Sequence, residues 1–392
     1  MNLRNVAIVG AGMTKFGERW DKSFQELAIE AAKRALEDAG MDLKEIDALY
    51  IGNNAAGRLI GQEHVAGVVA DSLGVTIPST RIENACSSGS VALREAFYAI
   101  KSGIFNKVLV IGVEKMTDTP RSLTFEMLLT GHDSLWEGVF GFMPAAGYAL
   151  LARAHMCKYG TKKEHLSMVA VKNHRNGAKN PYAHFQREIT LERALGAPMI
   201  ADPLNLFDCS PISDGAAAVI LTAEEFARKY TDVPVYIIGS GQSSDSLTVH
   251  GKRDLTTIDS VVTSARMAYS MAGVEPKDID VAEVHDCFTI AEIMVIEDLG
   301  FVEKGKGGKA LEEGITEIGG KIPVNPSGGL KARGHPVGAT GIAQSIEIFW
   351  QLRQEAEGRQ VSNAEIGLSE NHGGIGATGS VMIYSLSSNP RR

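Results

Sequence analysis

Four segments of the chain carry side chains suited to nucleophilic and acid–base chemistry. In the first, Cys86 lies between an expected strand over residues 79–84 and an expected helix over 87–102. A thiol at a helix start faces free backbone N–H groups and the positive end of the helix dipole, which would stabilise a thiolate. We therefore interpret Cys86 as a nucleophile; the alternative is a small buried cysteine that packs against the sheet.

The second and third segments each contain a histidine next to an expected element. His285 follows a strand, and His335 precedes a helix. His285 comes after an expected strand and so falls at the edge of a sheet, where sites form. It could equally be a structural histidine bonded to Asp286. His335 is held between a glycine and a proline, just before an expected helix over 338–354. Such a loop is a poor place for a core residue, so a functional role is favoured for His335.

The fourth segment runs from Glu370 to Gly376 and joins two expected strands. His372 in this segment could act as a base. The backbone N–H groups of Gly373 and Gly374 could hold a developing oxyanion. The alternative is a glycine turn with an exposed histidine.

An internal repeat organises the elements that must position these segments. Residues 6–12 resemble residues 235–241, and residues 35–53 resemble residues 268–286 in the same order. Each half alternates between expected strands and helices, which predicts an α/β fold. The predicted parts are an N-terminal half formed by residues 1–116 plus 211–232, an inserted loop domain over 117–210, and a C-terminal half over 233–392.

Hydrophobic periodicity and turn residues give the expected elements of both halves. Strands are expected at 5–11, 46–53, 79–84, 107–114, 216–221, 234–240, 279–284, 321–325, 366–371 and 379–386. Helices are expected at 23–39, 62–73, 87–102, 257–272, 289–299 and 338–354. Ser23 with Glu26 predicts a capping box, and Gly40 predicts the end of that helix. Residues 303–314 are interpreted as a solvated loop. The basic stretch from Lys172 to Arg187 is interpreted as solvated surface, with binding of coenzyme phosphates as the alternative.

Composition excludes several classes of protein. The chain has 392 residues, 44% of them hydrophobic, and a net charge of −8. An acidic balance argues against nucleic acid or an anionic membrane as a partner. There is no apolar run long enough to span a membrane, no signal-peptide pattern and no C-x-x-C spacing. We expect a cytoplasmic protein with no membrane partner and no metal.

The chain resembles the thiolase superfamily over its whole length. The segments that carry the resemblance are ENACSSGS at 83–90, HDCF at 285–288, GGLKARGHPVGATG at 328–341 and NHGGIGATG at 371–379. HDCF is typical of the archaeal and sterol-carrier-type branch. The resemblance implies a thiolase-like, duplicated five-layer αβαβα sandwich with an inserted loop domain.

It also implies an acyltransferase, an acetyl-CoA C-acetyltransferase or acetoacetyl-CoA thiolase. Such an enzyme joins two acetyl-CoA by Claisen condensation, reversibly, into acetoacetyl-CoA and CoA. Cys86 matches the nucleophile that takes the acetyl group. His335 matches the histidine that activates this thiol, and both His335 and His285 match donors to the enolate oxygen. His372 is the nearest group able to replace the second cysteine of usual thiolases, and so is the expected base.

The resemblance further implies coenzyme A thioesters as substrates, no other cofactor, and a homodimer or tetramer. It suggests a role in the mevalonate pathway of isoprenoid biosynthesis. Related enzymes associate with hydroxymethylglutaryl-CoA synthase through a small zinc-ribbon/OB-fold scaffold protein. Two alternatives remain: a degradative sterol-carrier-type 3-ketoacyl-CoA thiolase for longer acyl chains, and a non-catalytic lipid carrier or scaffold subunit. The intact Cys86 and His335 argue against the second.

Overall fold

A computed structural model describes residues 3–389 as alternating strands and helices. The strands are β1 (Val6–Met13), β2 (Ala48–Gly52), β3 (Ser79–Ile82), β4 (Lys107–Glu114), β5 (Met199–Ala201), β6 (Leu204–Asn205), β7 (Gly215–Ala223), β8 (Val235–Ser244), β9 (Val281–Glu283), β10 (Ile366–Gly373) and β11 (Thr378–Ser385). The helices are α1 (Phe24–Ala39), α2 (Ala56–Leu59), α3 (Val65–Leu73), α4 (Ser88–Lys101), α5 (Arg121–Leu129), α6 (Pro144–Tyr159), α7 (Lys163–Gly177), α8 (Leu191–Leu195), α9 (Glu224–Ala227), α10 (Asp259–Ala272), α11 (Thr289–Asp298), α12 (Gly307–Glu312), α13 (Gly329–Arg333) and α14 (Thr340–Leu352).

The sheet repeats one strand order on both sides of its centre. Its nine strands run β3-β2-β4-β7-β1-β8-β11-β10-β9. Read outward from β1, the order is β7, β4, β2, β3; read outward from β8, it is β11, β10, β9. In both halves the antiparallel pairs lie near the centre and the parallel pairs lie outside. The internal similarity of the sequence is therefore a similarity of topology.

The fifth strand of the second half is reduced to one residue. Val324 forms a parallel bridge with Ala282, where β3 forms a full strand beside β2 in the first half. The strand expected over 321–325 is thus wrong. Pro323 and Pro326 flank Val324, and proline has no N–H with which to extend a ladder.

The helices form layers around the two half-sheets. α1 packs on β1 and β7, and α10 packs on β8 and β11. α4 and α14 pack on each other and on the opposite faces of the half-sheets. Every residue of α14 except Trp350 is buried, as a middle layer requires. The order is therefore helix, sheet, paired helices, sheet, helix.

Local signals set the ends of several elements where they were expected. Ser23 and Glu26 form the capping box of α1, and Gly40 ends that helix in the left-handed conformation, with a φ of 57°. The glycines of β1 allow a close approach: a Cβ at Gly12 would lie 2.5 Å from the backbone nitrogen of Ala35 in α1. Glycine in β1 is therefore part of the helix–sheet packing.

The segment between the halves reaches deep into the molecule. Its helices α6 and α7 pack on α11, and α7 also packs on α12 and α13. Residues 303–314 contain α12 and are not simply a loop. Solvated surface is wrong for Lys172, which is buried in an ion pair with Glu292, and for His174, which is buried against Phe185. The boundaries of the three predicted parts stay predictions.

Across residues 3–389, the helices are too short or too polar to cross a membrane.

Candidate active site

Cys86 lies on a tight turn between β3 and α4. The residue before it, Ala85, has a φ of 48°, in the left-handed region that a side chain rarely adopts. The hydroxyl of Ser88 accepts a hydrogen bond from the N–H of Asn84 at 2.8 Å and donates one to the carbonyl of Ala85 at 2.6 Å. Two bonds from one side chain thus hold the turn that presents the thiol.

Burial dominates the protonation of Cys86. It raises the pKa of the thiol to about 11, although a hydrogen bond from the N–H of Gly374 lowers that pKa in part. The start of α4 was expected to favour a thiolate. Cys86 instead precedes the first helical turn and is a thiol at neutral pH, so its reaction needs a base.

His335 has the correct free nitrogen to serve as that base. The hydroxyl of Thr340 donates to the carbonyl of Pro336 at 2.9 Å, so its oxygen accepts a hydrogen bond from His335 Nδ1 at 2.7 Å. Nε2 is therefore left without a hydrogen. Burial, with the nearby charge of Arg333, lowers the pKa of His335 to about 3. The imidazole is neutral, and one nitrogen lies within 4.8 Å of Cys86 Sγ.

His285 has the opposite tautomer. The amide nitrogen of Asn371 donates to His285 Nδ1 at 2.7 Å, while the amide oxygen of Asn371 accepts from Ser90 at 2.8 Å. The hydrogen of the neutral ring is therefore on Nε2, which is buried without a partner among the described residues. Burial keeps the pKa of His285 well below its usual value. An unpaired neutral N–H beside the thiol is suited to bind an oxyanion.

His372 is buried between two partners. Its Nδ1 lies 2.8 Å from Glu370 Oε1, and its Nε2 lies 2.8 Å from the hydroxyl of Tyr148. That hydroxyl is also 3.1 Å from the carbonyl oxygen of Gly374. The other oxygen of Glu370 accepts the backbone N–H of His285 at 3.0 Å. One carboxylate thus orients two of the histidines.

The glycine turn meets the nucleophile directly. A Cβ at Gly373 would lie 2.9 Å from the carbonyl oxygen of Asn84, and Gly374 has a φ of 61°. The absence of side chains lets this turn approach the turn that carries Cys86. The N–H of Gly374 lowers the pKa of the Cys86 thiol in part. The structure thereby brings together all the predicted site residues: Cys86, His285, His335, His372, Gly373 and Gly374.

Two residues of this cluster were missed by sequence reasoning. The sequence assigned no role to Cys287 beyond its place in the HDCF segment. Its sulfur nevertheless lies within 4.8 Å of nitrogen atoms of His285 and His372. Burial raises its pKa well above the usual range. Tyr148 lies in α6, 224 residues from His372, so no local spacing pointed to it. Cys287 follows the candidate His285 by two residues, and this proximity in sequence could have identified it.

Two overlapping groups of nitrogen and sulfur atoms lie close together in this cluster. Cys86, His285 and His335 come within 4.8 Å of one another, as do His285, Cys287 and His372. The hydrogen on His285 Nε2 prevents coordination unless the Asn371 amide turns over. Both nitrogens of His372 are already hydrogen-bonded. The cluster is better arranged to donate hydrogen bonds to an anionic oxygen.

Family models and curated proteins match nearly the whole chain. The thiolase N-terminal domain family matches residues 6–225, and the thiolase C-terminal domain-like family matches residues 241–386. The chain is 53% identical to the acetyl-CoA acetyltransferase of Methanothermobacter thermautotrophicus, over 98% of this chain and 100% of that protein. It is 37% identical to human sterol carrier protein 2, over 98% of this chain and 72% of that protein.

Solved structures share the fold. An Ltp2-ChsH2(DUF35) aldolase superposes with a TM-score of 0.85 at 26% identity, covering 100% of both chains. Human mitochondrial 3-ketoacyl-CoA thiolase superposes with a TM-score of 0.74 at 21% identity, covering 98% of this chain and 99% of that one. The thiolase-like α/β fold expected from the sequence is confirmed.

Proposed function

Because the chain belongs to the thiolase family, whose members transfer acyl groups, we propose that it joins two acetyl-CoA into acetoacetyl-CoA and CoA. The observation that carries this proposal is a Cys86 thiol with a nitrogen of the neutral His335 within 4.8 Å, while Nδ1 of that ring is bound to Thr340. The name of the 53% identical relative supports acetyl-CoA as the substrate.

The first half of the proposed reaction acetylates Cys86. His335 Nε2 takes the proton of the thiol as the sulfur attacks the carbonyl carbon of acetyl-CoA. The Gly374 N–H, with the neighbouring backbone of Gly373, holds the oxyanion of the tetrahedral intermediate. The C–S bond to coenzyme A then breaks, and the leaving thiolate takes the proton from His335. Acetyl-Cys86 and free CoA result.

The second half forms the carbon–carbon bond. The carbonyl oxygen of a second acetyl-CoA accepts a hydrogen bond from His285 Nε2, and this stabilises the enolate. His372 takes a proton from the methyl carbon. The carbanion attacks acetyl-Cys86, the sulfur leaves as a thiolate, and the proton returns from His372 to that sulfur. No metal or redox cofactor is involved in these steps, since the thiol and the imidazoles supply every proton transfer.

A mass measurement tests the proposal. The protein is incubated briefly with acetyl-CoA and digested, with Cys86→Ala as the matched control. We expect one acetyl group on the Cys86 peptide, none on the variant, and loss of turnover in the variant by several orders of magnitude. Added CoA should convert acetoacetyl-CoA to two acetyl-CoA only with the unaltered protein.

The same experiment separates the alternatives. Labelling of Cys86 by longer acyl-CoAs but not by acetyl-CoA would favour the degradative reaction suggested by the resemblance to sterol carrier protein 2. Acetyl-CoA turnover that survives in Cys86→Ala would contradict the mechanism.

The product suggests a place in metabolism and a set of partners. We propose that acetoacetyl-CoA made here enters the mevalonate pathway through hydroxymethylglutaryl-CoA synthase. A structural neighbour named with a DUF35 component supports a small scaffold-type partner. We also propose a homo-oligomer, because β3 is an edge strand whose residues are at most half-buried. Light scattering of the purified protein would test it, and a monomer would contradict it.

A further inference from the structure

We propose that Glu114 is a positioning residue, which anchors the turn that carries His335 to the sheet and places a negative charge near Cys86. This inference deepens the proposed function and rests on it. It assigns a place in the reaction to a carboxylate at the end of β4, outside the group of thiol and histidines.

Four N–H groups converge on the Glu114 carboxylate. Oε1 accepts hydrogen bonds from Asn53 Nδ2 at 2.9 Å and from the backbone of Ala55 at 3.1 Å. Oε2 accepts from the backbone of Asn54 at 2.9 Å and from that of Gly338 at 3.0 Å. Three of these donors lie just after β2, and the fourth lies in the turn just before α14. One side chain thus ties this turn to the ends of two neighbouring strands.

Gly338 allows the contact because it has no side chain. A Cβ there would lie 2.7 Å from the carbonyl oxygen of Gly52 and 2.8 Å from that of Val113. Two residues later, the hydroxyl of Thr340 accepts the hydrogen bond from His335 Nδ1. A shift of the Gly338 backbone would therefore move the ring that takes the proton of the thiol, and such a displacement is costly for the rate.

The donor count favours the ionised form of Glu114. Each oxygen accepts two hydrogen bonds, so a proton on either one would face N–H donors instead of an acceptor. Burial raises the pKa of Glu114 to about 7, although the N–H groups of Asn54, Ala55 and Gly338 and the charge of Arg81 lower it in part. Above that pH the group is a buried anion.

The charge of Glu114 acts on the nucleophile. Cys86 packs against an apolar cluster that contains Val337, the neighbour of the anchored glycine. Burial is the main cause of the raised pKa of Cys86, and the charges of Glu114 and Glu83 add to it. The charge therefore keeps Cys86 protonated while no substrate is bound. The thiolate forms only as His335 takes the proton during attack on the thioester.

Two substitutions separate position from charge. Glu114→Gln removes the charge and turns an NH2 group toward two of the four N–H donors. Glu114→Asp keeps the charge but is one methylene shorter, so it cannot reach all four. Both should displace the turn that carries His335, and only Glu114→Gln should change the charge near Cys86.

The rate of Cys86 acetylation by acetyl-CoA reports the position. It is measured in a single turnover well above pH 7, where Glu114 is ionised. We expect the rate to fall about 10- to 100-fold in both variants, the effect of moving a reacting group by up to about 1 Å. The acetyl-CoA concentration that half-saturates this rate should stay within about twofold, because Glu114 is buried and holds only the protein's own N–H groups.

The rate of Cys86 alkylation by iodoacetamide reports the charge and needs no acyl substrate. It is followed on the Cys86 peptide by mass spectrometry at the same pH. We expect alkylation to be about 3- to 10-fold faster in Glu114→Gln, as for a thiol whose pKa falls by up to about one unit. In Glu114→Asp it should stay within about twofold.

Glu297→Gln is the matched control. Glu297 is another buried carboxylate, and it accepts the backbone N–H of Gly307 at 2.8 Å, so its replacement should change neither rate beyond about twofold. Gly338→Ala reaches the same anchor from the other side and keeps the charge. It should slow acetylation without speeding alkylation, and so tests the anchor even if the Glu114 variants do not fold.

Three outcomes would count against these proposals. Unchanged acetylation in the Glu114 variants and in Gly338→Ala would overturn the anchor. Equal alkylation rates in Glu114→Gln and Glu114→Asp would overturn the role of the charge. Failure of the unaltered protein to form acetyl-Cys86 would instead overturn the proposed function, and the alkylation rates would still decide the role of the charge.

Discussion

The three histidines of the site differ through the side chain that each one contacts. Thr340 places a hydrogen on Nδ1 of His335, and Asn371 places one on Nε2 of His285. Glu370 and Tyr148 occupy both nitrogens of His372. One residue type thereby supplies an acceptor, a donor and a buried proton site. The partner, more than the histidine, determines the chemistry.

Replacing Asn371 with Asp tests this reading of His285. A carboxylate at this position accepts from Nδ1–H, so the hydrogen leaves Nε2 and the oxyanion loses its donor. We expect kcat to fall by about 10²- to 10³-fold, as for the loss of one oxyanion-hole donor, with little change in KM. Steady-state kinetics of the folded variant would measure this.

Ser90→Ala is the companion variant for Asn371→Asp. It removes a partner of Asn371 but leaves the amide donor to His285, so its loss of kcat should be much smaller. Equal losses in both variants would show that the tautomer of His285 does not matter.

The sequence predicts those site residues that can be recognised from their immediate neighbours in the chain. Cys86, His335 and His372 stood out because glycines or a helix start surround them within a few residues. Tautomers could not be predicted, since Thr340 and Asn371 act through rotamers and distances that no spacing encodes. Tyr148 could not be predicted either, because α6 and β10 are far apart in the sequence and come together only in the folded protein.

At the scale of elements, a close approach of α4 and α14 holds the nucleophile near its base. α4 follows Cys86 and α14 follows His335, and a Cβ at Gly341 would lie 2.5 Å from the backbone nitrogen of Ser90. A Cβ at Gly89 would lie 2.6 Å from the carbonyl oxygen of Gly338. The glycines of GHPVGATG therefore set the distance between the two catalytic turns.

Gly341→Ala should separate these turns. The added methyl group meets backbone rather than a movable side chain, so we expect a loss of about 3 kcal/mol in the free energy of unfolding. Acetylation of Cys86 should slow as well, because His335 moves with the start of α14. Urea denaturation and the acetylation rate measure the two effects.

Gly358→Ala is the control for Gly341→Ala, since the nearest atom to its added Cβ is 3.9 Å away. It should change neither quantity appreciably. Normal stability and activity in Gly341→Ala would contradict the packing argument.

Most elements could be predicted because their signals are local. β4 has the expected bounds of 107–114. α1 begins at the predicted capping box and ends at the predicted glycine. The strand over 321–325 failed because its prolines interrupt the ladder. α12 was missed because its glycines look like a loop, although Gly307 and Gly308 are buried under other elements. The formation of α12 depends on its packing against other elements, which cannot be predicted from the local sequence.

At the scale of the whole molecule, the two halves share one core. The apolar cluster around α4 and α14 contains Ile8 and Leu93 from the first half and Ile342, Met382 and Tyr384 from the second. Neither half can unfold without exposing buried apolar side chains of the other half to water. Internal similarity predicted the duplication but not this shared core, which depends on how the layers meet.

We therefore expect the two halves to unfold together. Differential scanning calorimetry of the protein should give a single transition whose calorimetric and van't Hoff enthalpies agree for the cooperative unit. Two separate transitions would show that the halves are independently stable.

The central place of β1 also has a consequence for synthesis on the ribosome. β1 is made before the other strands of this sheet, yet it lies between β7 and β8, and Val6 pairs with Ala223. At ordinary translation speeds its neighbours follow on the order of ten seconds or more later. During that interval an apolar strand has two unpaired edges, which is a hazard for aggregation. The nascent chain is therefore expected to depend on chaperones until β7 has left the ribosome.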